Sequence, residues 1–209
     1  MISAIIDKFV ALKILDMMRT ITKYFFVITL LTGLSSCGYN AMVTMEESVA
    51  AQWANVENAY QRRADLIPNL VNTVKGAANF EQETLTGVIE ARSKATSIQI
   101  DPSNLTAESI QKYQKAQEQL SGALSRLLVT VERYPDLKAT QNFRDLQVQL
   151  EGTENRIAVE RRKFNQMTLA YNAQIRKFPQ LVYSGAMGFE KKGYFEANKG
   201  AEDAPKVEF

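Results

Sequence analysis

The chain contains no histidine, one cysteine and one tryptophan in 209 residues. Without histidine it can build no Ser-His-Asp triad, no imidazole metal site and no Glu-x-x-His di-iron site in a bundle core. A single cysteine excludes an internal disulfide and any cysteine-cluster zinc site. Five prolines and ten glycines are too few for a turn-dense β protein, whereas 45% hydrophobic residues suffice for a packed core. A formal charge of +2 is too near neutral for a nucleic-acid partner. The carboxylates Glu81, Glu83, Glu108, Glu118, Asp145, Glu151, Glu154 and Glu160 show no pairing that acid–base chemistry demands. Gly185-Ala186-Met187-Gly188 has no strand before it and no Lys-Ser/Thr after it, so it is no phosphate loop. These absences point to a protein that is not an enzyme and carries no cofactor.

The N-terminal segment has the layout of an export signal. Met17-Met18-Arg19-Thr20-Ile21-Thr22-Lys23 is a short basic region, with Met17 or Met18 the expected start. Tyr24 to Gly33 is an uninterrupted, mostly apolar run, about half of the roughly 20 residues that a membrane span requires. Leu34-Ser35-Ser36-Cys37 then resembles a bacterial lipobox, with the chain's one cysteine at the lipidated position. Residues 1–36 read as a lipoprotein signal peptide and 37–41 as a lipidated tether. Several acyl chains on Cys37 would anchor the protein stably, since each buried CH₂ contributes about 0.8 kcal/mol and one chain alone is marginal. The expected location is the bacterial envelope, facing the periplasm. Gly38 supplies no acidic retention residue, which favours the outer membrane over the inner. Residues 1–36 hold Lys8, Lys13, Arg19 and Lys23 against Asp7 and Asp16, the whole of the chain's excess charge. The remainder is neutral, and nothing steers it to an anionic polymer.

From Val49 onward the apolar residues recur at spacings of three and four. Val49, Trp53, Val56, Tyr60, Ala64, Ile67, Leu70/Val71 and Val74 predict one helix, kinked at Pro68. Leu85, Val88, Ile89, Arg92 and Ala95 predict a second, capped by Asn79 and continuous with the first unless Gly76 and Asn79 break the chain. A break is preferred, since one very long helix would overhang its partners. Ile110, Tyr113, Gln117, Leu120, Leu124, Leu127, Val131 and Tyr134 give the third, which stops at Pro135. Phe143 through Leu150, Ile157, Phe164, Tyr171 and Ile175 give the fourth, which ends at Pro179. The fold class is therefore all-α, an antiparallel up-and-down bundle of four helices over residues 42–195. Gln180 to Phe195 is apolar without a period and packs back along the bundle by its aromatics. Residues 196–209 read as a disordered tail.

Each long stripe carries a polar interruption near its middle: Arg63, Gln117 and Glu160/Arg161. In an antiparallel bundle the middles lie at one height, so Arg63, Gln117 and Glu160 can meet in a layer that fixes register. Two alternatives stand beside it: the three side chains snorkel from the stripe edge, or they line a site in the bundle core. The clusters Gln61-Arg62-Arg63 and Arg161-Arg162-Lys163 read as solvated helix faces.

Trp53-Ala54-Asn55-Val56-Glu57-Asn58 and Arg62-Arg63-Ala64-Asp65-Leu66-Ile67-Pro68-Asn69-Leu70-Val71 closely resemble the first-helix motif of the LemA family. Thr84-Leu85 with Val88 to Arg92 is similar to its second segment. Glu154-Asn155-Arg156-Ile157-Ala158-Val159-Glu160-Arg161, followed by Phe164-Asn165 and Tyr171-Asn172, resembles its last helix, with Phe164 where tyrosine is commoner. The similarity runs from about Tyr39 to Phe195. It singles out Trp53, Arg63, Pro68, Asn69, Asn155, Arg161, Asn165 and Asn172, residues that could equally be structural. It implies a helical bundle in the bacterial envelope, in a family for which no enzymatic activity is established; the function expected is a non-enzymatic, lipid-anchored protein-interaction module in membrane stress, quality control or membrane organisation. By the same resemblance the envelope protein partners include an HtpX-type protease or a TPM-domain protein. A lipobox in place of the family's usual transmembrane segment is a departure. A second reading of function is a small amphiphile or peptide held between helices near Pro68, where a kink would free backbone groups.

Overall fold

The computed structural model describes residues 2–76 and 80–196, with side chains there apart from those of 2–12, 16 and 27–37. Cys37 as a side chain, Asn79 and residues 197–209 of the expected tail thus lie outside the described residues. Among the described residues there is no strand, and the chain is all-α.

The first helix, α1, runs Ile2–Lys75 without interruption. Residues 37–41, read as a tether, are part of it. Among its side chains described before Gly38, Ile14, Met17, Ile21, Tyr24, Phe25 and Phe26 are exposed. Among the described side chains, burial begins at Gly38 and Met42 and continues through Val49, Trp53, Val56, Tyr60, Ala64, Ile67, Leu70, Val71 and Val74. That is the expected stripe, extended by two turns toward Cys37. No helix among the described residues is long and apolar enough to cross a membrane.

The chain breaks after Lys75 and resumes as α2, Gln82–Ser97. Glu81 holds the cap position, but its carboxylate accepts from Thr84 Oγ1 (3.2 Å) rather than from the backbone. Ile89, expected on the buried face, is 46% exposed; the face is Leu85, Val88, Ala91 and Ala95. Helix α3, Ala107–Val131, is capped by Thr106, whose hydroxyl accepts from the Ser109 amide at 3.2 Å. A single short turn, α4, Pro135–Lys138, leads into α5, Gln141–Gln174, capped in the same way by Thr140. α1 lies along α5, and α2 along α3. The hydrophobic core forms two clusters. One joins Met42–Tyr60 of α1 to Ile157–Ile175 and the start of α3. The other joins Ile67–Val74 to α2, the end of α3 and the start of α5.

Pro68 does not end α1, and the reason lies on α2. Proline has no N–H, so the carbonyl four residues back, that of Ala64, loses its helical donor. Arg92 Nε donates to that carbonyl at 2.8 Å. Replacing Arg92 by methionine should leave the carbonyl unpaired and cost roughly 1–2 kcal/mol in urea unfolding. With Pro68→Ala, which restores the N–H, the same replacement should cost clearly less; equal costs in both backgrounds would contradict the pairing.

Beyond α5 the chain turns through α6, Gln180–Tyr183. It leaves a short 3₁₀ turn at Gly188, whose φ of 85° is natural for glycine. Residues 189–196 then return, extended, along α5.

Candidate functional site: a buried arginine and a strapped groove

Arg63 sits where the two apolar clusters meet, and its side chain is 2% exposed. A buried guanidinium needs acceptors on every side, and α3 and α5 supply them. Nη1 donates to Ser121 Oγ (2.7 Å) on α3 and to Glu154 Oε2 (2.8 Å) on α5. Nη2 donates to Gln117 Oε1 (2.8 Å) and to the Gln117 carbonyl (3.2 Å). Gln117 passes the connection to α2 by donating to the Ala95 carbonyl at 3.2 Å. The guanidinium carbon lies 5.2 Å from the centre of the Tyr60 ring, within cation–π range. Burial pushes the hydroxyl of Tyr60 up from its ordinary pKa. Only Arg63 Nε is without a partner among these atoms.

The structure thus joins Arg63 to Gln117 but not to Glu160. Glu160 lies on the Gln52 side of Arg63, and 11 residues of helix separate those two positions on α1 by about 16 Å. It is equally buried, 1% exposed. It accepts from Gln52 Nε2 (2.7 Å), Arg156 Nε (2.8 Å) and Lys163 Nζ (3.3 Å). Glu154 takes the place expected of Glu160. Two polar layers result, each linking α1 to α5. The bond from Gln52, followed by Lys163 and Arg156, holds the Glu160 carboxyl below its usual range. A depressed carboxyl contributes stability that is complete above its ordinary pKa, about 4.5, and is lost as pH falls through the lower folded value. Glu160→Gln should therefore weaken the protein at neutral pH and flatten its acid unfolding below pH about 4.5; an unchanged acid profile would contradict this.

The second feature is the extended strap. Asn172 clamps residue 192: its Nδ2 donates to the Lys192 carbonyl (2.9 Å) and its Oδ1 accepts the Lys192 amide (3.0 Å). Asn165 does the same for Phe195, at 2.8 and 2.9 Å. On the other edge, the Gly193 amide reaches the Leu105 carbonyl at 2.8 Å. Gln114 of α3 brackets Glu196, at 3.2 and 3.1 Å. The strap lies antiparallel to α5, and the spacing explains the match. Seven residues of helix rise about 10.5 Å, and three extended residues cover about 10 Å. Asn165 and Asn172 therefore meet Phe195 and Lys192 in register. Phe195 enters the core, stacked 5.9 Å from Trp53 and edge-on to Phe164, with the Arg161 guanidinium 4.9 Å above it. Lys192 is buried and pairs with Glu46 of α1 at 2.7 Å. Glu196, assigned from the sequence to the tail, belongs to the strap: its carbonyl also accepts from Arg161 at 2.8 Å.

Where the strap ends, its groove opens into a polar cleft of about 590 Å³. Tyr60, Arg63, Gln114, Glu118, Glu154 and Arg161 border it. Among the described residues no group of His, Cys, Asp or Glu could hold a metal. Pro68 and Asn69 face solvent away from this cleft. The carbonyl that the proline frees is already taken by Arg92, which removes the reason for placing a ligand there. Asn155 also faces solvent.

These features define a class of protein: an antiparallel helical bundle pinned by two buried ionic layers and sealed along one seam by its own extended C-terminal strap. The LemA family profile matches residues 52–209, and the chain belongs to the LemA family. It is 29% identical over 188 residues to Magnetosome protein MamQ of Magnetospirillum gryphiswaldense, covering 81% of this chain and 68% of that protein. It is 27% identical, with the same coverage, to Magnetosome protein MamQ 2 of Paramagnetospirillum magneticum. Protein LemA of Metamycoplasma hominis is 25% identical over 123 residues, 59% of this chain and 52% of that protein. Four of the motif residues, Trp53, Arg161, Asn165 and Asn172, turn out to touch the strap, and Arg63 builds the layer beside it. Sequence reasoning missed Gln114, Ser121, Glu154 and Gly193. The one available signal was the pair of asparagines seven residues apart on an otherwise buried stripe.

Proposed function

We propose that this LemA-family protein is a lipid-anchored, non-enzymatic module of the bacterial envelope that works by holding other envelope proteins. The observation that carries the reading is the run from a basic segment through Tyr24–Gly33 to Leu34-Ser35-Ser36-Cys37, followed at once by a helical segment whose Gly38 and Met42 are buried against the bundle. Acylation at Cys37 would fix the bundle to the bilayer through a rigid helix rather than a slack linker. The magnetosome names of two relatives favour a part in organising membranes. The exposed cleft beside Arg63 offers mixed charge, glutamines and a tyrosine, a surface suited to a polar protein partner. An HtpX-type protease and a TPM-domain protein are the partners proposed by family resemblance, and the outer membrane is the proposed location.

Two measurements test this. Radiolabelled palmitate should enter the wild-type chain and not the Cys37→Ala chain; labelling that persists in Cys37→Ala, or fails in both, overturns the anchor. A photo-crosslinking residue at exposed position 118, on the cleft, should trap a discrete partner in intact envelopes, whereas one at position 148 should not. No discrete product at 118 overturns the interaction role.

A further inference from the structure

The turn after α5 carries a feature that the bundle does not need. Phe178, Leu181, Val182 and Met187 are 84%, 61%, 76% and 58% exposed. Elsewhere on the bundle, exposed large apolar residues such as Ile89, Val129 and Val148 are scattered, as on any soluble protein. Here four fall within ten residues, and the turn that presents them is firmly built. Leu181 and Ser184 amides close on the Lys177 and Gln180 carbonyls at 2.8 Å. Buried Ser184 ties the turn to the Ile175 carbonyl at 3.1 Å, and Phe189 plugs it into the core. An ordered turn that points large apolar side chains outward marks a contact surface.

Its place in the fold identifies the contact. Gln180 and Tyr183 pack against Gly38 so closely that a Cβ there would lie 2.7 Å from Gln180 Nε2 and 2.5 Å from the Tyr183 hydroxyl. The turn is therefore level with position 38 of α1, next to Cys37 and at the end from which the apolar run 24–33 extends. The exposed charges around it are Arg176, Lys177 and Lys191 against Glu190, a basic excess of the kind that sits among anionic headgroups. We infer that the turn 178–187 inserts its apolar side chains into the bilayer surface as a second membrane contact beside the N-terminal anchor. The occupant is a phospholipid surface, and the contact would hold the bundle at a fixed tilt instead of letting it swivel on α1. This rests on the membrane lying at the Cys37 end, as in the proposed function.

The test uses the full chain with Val182→Trp, reconstituted into vesicles of phosphatidylcholine and phosphatidylglycerol. Val182 is exposed, so the fold should accept the change, and Trp53 is fully buried, which gives a constant background. Brominated acyl chains should quench the added tryptophan at least two-fold and shift its emission to shorter wavelength. The Val148→Trp chain, with its probe on α5 far from the turn, should not be quenched. Flotation with the vesicles without quenching at 182, or equal quenching at 182 and 148, overturns the inference and leaves the anchor standing. A Cys37→Ala, Val182→Trp chain that still floats and is still quenched supports the turn as a membrane contact that does not depend on the acyl chains. Failure to float at all overturns both.

Discussion

Replacing Gly193 by alanine should release the strap. A Cβ at this position would lie 2.6 Å from Ala107 Cα, 2.8 Å from its amide nitrogen and 2.9 Å from the Thr106 carbonyl oxygen. All three are backbone atoms at the capped start of α3, and none can move without uncapping that helix. The strap must yield instead, and with it Phe195. Withdrawing a buried phenylalanine costs about 1.5–3 kcal/mol, and the aromatic contacts with Trp53 and Phe164 add about 0.5–1.5 kcal/mol each. A loss of roughly 3–5 kcal/mol in urea unfolding, or a protein that folds with a detached strap, is the expected outcome. Trypsin distinguishes the two: Lys192 is buried in the wild type and should become a rapid cleavage site only when the strap is free. A Gly193→Ala protein as stable and as trypsin-resistant as the wild type would show that the close approach to α3 is not needed.

The second large effect is expected at Arg63. Its two Nη groups make four hydrogen bonds to α3 and α5, from a side chain 2% exposed. Glu154, its ion-pair partner, is 57% exposed and can return to water. The two partners should therefore behave differently. Glu154→Gln should cost less than about 1 kcal/mol, as exposed pairs do. Arg63→Ala should cost about 3–5 kcal/mol, since it opens a cavity and leaves Gln117 Oε1 buried without its donor. Arg63→Met should recover part of this by filling the space. Equal losses at Arg63 and Glu154 would mean that the Coulomb attraction, rather than the hydrogen bonds to α3, sets the strength of the layer.

The residues that were legible in the sequence are those whose environment repeats along a helix. Val49 to Val74 and Ile110 to Val131 bury themselves every three or four residues, and Arg63 and Gln117 stood out because they broke that pattern. Glu154 did not stand out: it lies at the stripe edge, half in water, while Glu160 lies on the stripe and looked the better partner. Which of the two comes level with Arg63 depends on how far the turn at 132–140 slides α5 along α1, and no periodicity encodes that offset. The strap was legible only as an aromatic segment that packs back. Most of its bonds come from single side-chain amides on α3 and α5, and that of Gly193 goes to the Leu105 carbonyl, so neither Gly193 nor Gln114 carries a repeating mark. Arg92 was similarly concealed, because its target is a carbonyl that a proline 24 residues earlier left free.

The central claim is that Asn165, Asn172 and Gln114 hold an extended strap in the seam of the bundle. Backbone hydrogen exchange reads it directly, since the amides of Lys192, Gly193, Phe195 and Glu196 each have a named acceptor. These four should exchange as slowly as the central amides of α5, and the Asn165→Ala, Asn172→Ala double variant should speed them at least a hundred-fold while α1 stays protected. Exchange of the same four amides at the rate of an open peptide in the wild-type protein would contradict the account.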